Sequence, residues 1–120
     1  MTNEEFCKRL HQMAQSPKTY DQMPGLINQA RNEKLSILAV SDSKHTAVTI
    51  PSENKLFLLC STTWTPPRLD YVVGETELEG FFEELIESGY NGIAFLENSR
   101  LIGLEWKDFF EANRKAKRKG

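Results

Sequence analysis

Between Leu69 and Ser99 the chain has no lysine and no arginine. Over the same stretch it carries Asp70, Glu75, Glu77, Glu79, Glu83, Glu84, Glu87 and Glu97. Other absences narrow the choices. Two cysteines, Cys7 and Cys60, are too few for a disulfide scaffold, so two buried thiols in a reducing, cytoplasmic setting are expected. The two cysteines are distant from each other, as are the two histidines, His11 and His45, which supplies no metal-ligand cluster and no metal site. No glycine-rich loop cradles a phosphate, and no cofactor is implied. No run approaches the roughly 18 apolar residues of a spanning helix, so no membrane partner is expected. The first residues lack a basic region leading into an apolar one, and no leader is read there.

What is present describes one domain. The 120 residues are 39% hydrophobic and 27% charged, ordinary values for a globular chain. All 17 acids precede residue 113, whereas Arg114, Lys115, Lys117, Arg118 and Lys119 follow it. The layout therefore reads as an acidic domain over 1–112 and a basic C-terminal tail over 113–120. Charge asymmetry of this kind concerns association rather than fold.

Hydrophobic periodicity orders the elements. Thr2 and Glu5 have capping-box spacing ahead of Phe6, Leu10 and Met13, so a helix starts there and stops at Ser16-Pro17. A second short helix spans Pro24 to Glu33. Three segments, Leu35–Val40, His45–Ile50 and Lys55–Cys60, read as an antiparallel meander turning at 41–44 and 51–54. Tyr71–Val73 reads as a short edge strand after a proline-containing loop. Thr76 and Glu79 repeat the capping-box spacing. Leu78, Phe81, Phe82, Leu85 and Ile86 then predict a helix with one apolar face and Glu77, Glu79, Glu83, Glu84 and Glu87 outside it. Gly89 suits its left-handed cap, and Gly92 a turn. A hairpin joins Ile93–Leu96 to Leu101–Trp106 through four residues, and Lys107–Ala116 predicts a last helix. The expected class is α+β, a mainly antiparallel sheet of about five strands with helices packed on one face.

Three segments resemble the N-terminal domain of the SseB-like family of bacterial proteins. Leu56-Phe-Leu-Leu-Cys-Ser-Thr62 resembles that family's strand leading into a short loop. Leu78–Glu87 resembles its late amphipathic helix. Ser88-Gly-Tyr-Asn-Gly-Ile-Ala-Phe-Leu96 resembles its glycine-tyrosine strand entry. The chain departs from the pattern at Leu96-Glu97-Asn98, where the family has Asn-Pro, and at Thr63-Trp-Thr-Pro-Pro67, where it has a helix start. The resemblance spans Leu35 to Ala112. It implies a small α+β module of bacterial type without known catalysis, and it assigns no functional residues.

Three functional classes follow from the residues. The first is a soluble, non-enzymatic interaction module of inhibitor, immunity or secretion-associated type. It docks a basic protein through Glu79, Glu83, Glu84 and Glu87, with Trp64 as an apolar anchor. The same carboxylates would also serve simply as a solvated face, and Trp64 simply as a cover for the core. The second class binds nucleic acid through Arg114, Lys115, Lys117, Arg118 and Lys119; five charges without an aromatic give only salt-sensitive affinity. The third is an enzyme with a Cys60 nucleophile and a His45 base.

Overall fold

A computed structural model describes residues 1–78, 80–97 and 99–105. The first helix, α1, runs Asn3–Gln15, and its amide at Glu5 donates to the Thr2 hydroxyl at 3.1 Å, as the capping spacing requires. A 3-10 turn, Pro17–Gln22, follows where only a break was expected, and leads into α2, Met23–Asn32. Helix α2 ends in a Schellman motif: Leu35 N–H bonds Ala30 C=O and Lys34 N–H bonds Arg31 C=O. The left-handed residue of that motif is Lys34, at φ 56°, where glycine is usual.

Six strands make one mixed sheet: β1 Ser36–Asp42, β2 Thr49–Ser52, β3 Lys55–Cys60, β4 Tyr71–Glu77, β5 Gly92–Glu97 and β6 Arg100–Glu105. The order is β4-β1-β3-β5-β6, with β2 beside β3 and off that path. All pairings are antiparallel except β3 with β5. The class is therefore α+β with a mostly antiparallel sheet, and the described residues supply six strands where about five were expected.

The expected meander does not form. In an up-down-up meander the first and third strands run parallel, yet β1 lies antiparallel to β3 at Ala39–Cys60. The segment just before β2, rather than β2 itself, meets β1: Ala47 bridges Ser41, Asp42 N–H bonds Thr46 C=O and Val48 N–H bonds Val40 C=O. His45 is consequently not at a strand start. It sits at φ 60° in a turn organised by Asp42, whose carboxylate accepts from the Lys44 and Thr46 amides. Pro51, expected in a turn, lies within β2 opposite Leu56; a strand with a free edge tolerates its missing N–H. The turn proper is Glu53-Asn54, both at positive φ, which matches the twist of a two-residue hairpin.

The largest correction concerns the acidic segment. Strand β4 continues through Thr76 and Glu77, which pair with Ile37 and Ser36. Thr76 is thus extended and caps no helix. Helix α3 begins only at Phe81, after Gly80 at φ 75°, and ends at Glu87. Its expected apolar face is uneven: Phe81 is buried, Leu85 half-buried, and Ile86 exposed. Its C-terminus agrees with expectation, since Gly89 at φ 88° completes a Schellman motif with Tyr90 N–H on Leu85 C=O. The β5–β6 hairpin closes at Glu97–Arg100, tighter than the four-residue turn anticipated. Gly92 is a strand residue rather than a turn residue. A Cβ there would lie 2.0 Å from the Leu104 carbonyl oxygen, so only glycine fits. The helix expected over 107–116, Trp106 and the basic tail lie outside the described residues.

One core joins the layers. Phe6, Cys7 and Leu10 from α1 and Met23, Leu26, Ile27 and Ala30 from α2 pack with Leu58, Cys60, Ile93, Phe95 and Leu104 of the sheet. Burying each large apolar side chain contributes about 1.5–3 kcal/mol, which holds the helices to the strands. Phe57, Leu59 and Ala94 alternate with those strand residues and are buried as well. Covered on both faces, β3 accordingly reads as a continuous apolar run.

Candidate functional site

Two places bring together residues that the sequence marks as candidates. One is a cleft of about 290 Å³ at the C-terminal ends of the parallel pair β3 and β5, lined by His11, Cys60, Ser61, Thr63, Phe95 and Glu97, among others. Helix α1 sends His11 and Gln15, one turn apart, toward the end of β5. Gln15 donates to a Glu97 carboxylate oxygen at 2.9 Å, and His11 Nε2 stands 3.5 Å from the same oxygen. The imidazole leans on the Phe95 ring at 5.3 Å between centroids. Its Nε2 is shielded from solvent and makes no hydrogen bond. An uncompensated buried nitrogen costs about 1–3 kcal/mol, so this end of the cleft carries an unspent polar group.

The cleft gathers Cys60 with His11, not with His45. Their chemistry is limited by burial. Cys60 is 1% exposed and its thiol donates to the Leu58 carbonyl at 3.9 Å. Desolvation pushes its ionisation well above the ordinary thiol range, with the Cys7 charge adding to the effect. Cys7, which accepts the Leu38 N–H at 3.4 Å, is itself pushed up to about 11, chiefly by burial. Neither sulfur is a thiolate at neutral pH, and thiolate character is what nucleophilic chemistry needs. Both cysteines are unpaired. Among the described residues no group of three His, Cys, Asp or Glu side chains is arranged to hold a metal ion, and no helix is long and apolar enough to cross a membrane.

The second place is the acidic edge formed by β4 and α3. Because the helix starts at Phe81, its first-turn acids are Glu83 and Glu84, which the helix dipole favours. Glu87, at the other end, has no such support. Of the expected docking residues, Glu83, Glu84 and Glu87 are exposed on α3, while Glu79 lies outside the described residues. The edge is not purely acidic. Arg31 of α2 approaches Glu83 at 3.9 Å, a solvent-exposed pair worth at most about 1 kcal/mol. Asn3 engages Glu75, and Arg68 engages Asp70 at 3.3 Å. Among the described residues Glu77, Glu84 and Glu87 have no ion pair or side-chain hydrogen bond. A broad cleft of about 690 Å³ opens beside them, between Arg31 and Lys34 on one wall and Glu77 and Glu83 on the other.

Trp64 is 46% exposed in the 61–70 connection, where Leu69 is fully exposed. An indole half in water is available to a partner. The five basic residues of the tail, Arg114, Lys115, Lys117, Arg118 and Lys119, lie outside the described residues. The His11–Glu97 approach joins positions 86 apart and has no local sequence signal. The role of Glu75 and Glu77 as strand residues did have one: Val72, Val73 and Thr76 are β-branched and favour extended backbone.

No protein-family model, curated protein or solved structure matches this chain.

Proposed function

We propose that this chain is a small, non-enzymatic interaction module that docks a basic protein partner through its acidic edge, in the manner of an inhibitor or immunity protein masking a positive surface. The observation that supports this reading most is that Glu77, Glu84 and Glu87 are exposed and without an ion pair among the described residues. Like charges at Glu83 and Glu87, one turn apart, work against the helix by a few tenths of a kcal/mol. A surface that keeps such a cost is suited to repayment by a cation from outside. Trp64, half-exposed in the 61–70 connection, would supply a separate apolar contact to such a partner, since indoles concentrate binding energy.

The test is a titration of the full chain with purified basic proteins and a lysine-rich peptide, at low and at physiological salt. Binding should weaken as salt rises, because screening acts over about 8 Å at physiological strength. Replacing Glu83, Glu84 and Glu87 together by lysine should abolish binding while leaving the melting temperature within a few degrees. Binding that survives this triple reversal sinks the reading.

A further inference from the structure

Strand β4 is an edge of the sheet, and its open side can be worked out residue by residue. In an antiparallel ladder, alternate residues direct their N–H and C=O toward the partner strand and the others direct them away. Four residues of β1 turn their backbone groups away from β4. Ser36 N–H goes to Asn3, Leu38 N–H to Cys7 and Leu38 C=O to Ser61, Val40 C=O to Val48, and Asp42 N–H to Thr46. Their partners on β4 are Glu77, Glu75, Val73 and Tyr71. These four therefore point their own backbone groups to the outer side of the sheet. Tyr71 N–H is used by Arg68 C=O at 3.1 Å. The groups of Val73, Glu75 and Glu77 have no partner among the described residues.

Edges of this kind are normally blunted by lysine, proline or a bulge. Strand β4 has none: its seven residues pair with β1 in unbroken register. Among the described residues its only protection is negative charge. Side chains of Val73, Glu75 and Glu77 share one face, so a second copy laid against this edge brings carboxylates together, whereas a strand bearing cations meets complementary charge. Glu84 and Glu87 of α3 continue the same sign beyond the Glu77 end of the strand, whereas at the Tyr71 end Asp70 is balanced by Arg68 at 3.3 Å.

We propose that the free edge of β4 receives an extended segment of a partner protein as an added strand, with lysine or arginine at the alternate positions facing Glu75 and Glu77 and an apolar residue facing Val73. This rests on the reading of the acidic edge as a docking surface and specifies how the partner is held: main-chain hydrogen bonds supply affinity, and alternate side chains supply selection.

The probe is a nine-residue peptide alternating lysine and threonine around a central valine, titrated into the isotopically labelled full chain. The Val73, Glu75 and Glu77 amides should shift and exchange more slowly with solvent. Glu75→Pro removes one outward N–H and leaves the β1 ladder intact, so it should weaken binding about tenfold beyond the charge-matched Glu75→Gln. A peptide methylated at alternate backbone nitrogens should fail against the unaltered chain, which keeps the proposal testable if Glu75→Pro does not fold. Binding that shifts only α3 amides, with the proline and glutamine variants and the methylated peptide all equivalent, overturns strand addition but leaves charge-driven docking standing. No binding at low salt overturns both. Strong exchange protection at these three amides in the free, dilute chain would mean that the chain itself fills the edge, and overturns the partner assignment.

Discussion

The Asn3 side-chain amide donates to the Glu75 carboxylate at 3.0 Å, binding the start of α1 to the strand that carries the free edge. The other end of the same side chain accepts the Ser36 N–H at 2.9 Å. Asn3→Ala should therefore destabilise the protein by about 1 kcal/mol, the usual worth of such hydrogen bonds. Asn3→Asp should cost more by placing like charges together, and Glu75→Gln should recover part of that loss. A double-mutant cycle in urea measures the coupling; additivity of the two changes would show that the contact carries no energy.

The two thiols predict alkaline instability. Cys7 ionises near 9 in an unfolded chain but only at about 11 when buried. The unfolded state thus releases its proton first. The contribution is fully present below pH 9 and is lost as pH rises toward 11, at up to about 1.4 kcal/mol per pH unit. Stability of Cys7→Ala should fall less steeply over that window, whatever its value at pH 7. Native-state alkylation of both cysteines at pH 7 should proceed at the rate of unfolding, and fast labelling of Cys60 would contradict its burial.

Glycine substitutions should diverge sharply. A Cβ at Gly92 meets backbone of β6, so Gly92→Ala should cost about 3 kcal/mol or more, or prevent folding. Gly74, on β4, has nothing within 4 Å of that position. Gly74→Ala should be neutral or stabilising by about 0.5 kcal/mol, since it restrains the unfolded chain. Thermal melts of the two variants decide this.

Lys34 occupies a left-handed position at φ 56° that disfavours a Cβ. Lys34→Gly should raise stability by about 1 kcal/mol, offset in part by the greater freedom of glycine when unfolded. A lower melting temperature would show that the lysine side chain does more than cap α2.

Much of the architecture was legible because it is local. The Thr2–Glu5 spacing, the Ser16-Pro17 stop and the Gly89 cap are decided within a few residues, and the structure keeps them. Runs such as Leu56–Cys60 and Ile93–Leu96 announce strands because their apolar side chains have to be buried. The acidic composition of 69–99 and its exposure on α3 were equally visible.

Pairing was not. Thr76 and Glu79 satisfy a capping pattern, yet Thr76 became a strand residue because β1 offered it a hydrogen-bonded partner across the sheet. His11 and Glu97 met, and His45 did not meet Cys60, because contacts between distant positions depend on how the strands are ordered. Likewise the sequence determined that this region is negative, while only the tertiary structure decided that Glu75 and Glu77 lie along an edge left unpaired among the described residues. Local propensity is fixed by near neighbours, but an edge exists only relative to the rest of the sheet.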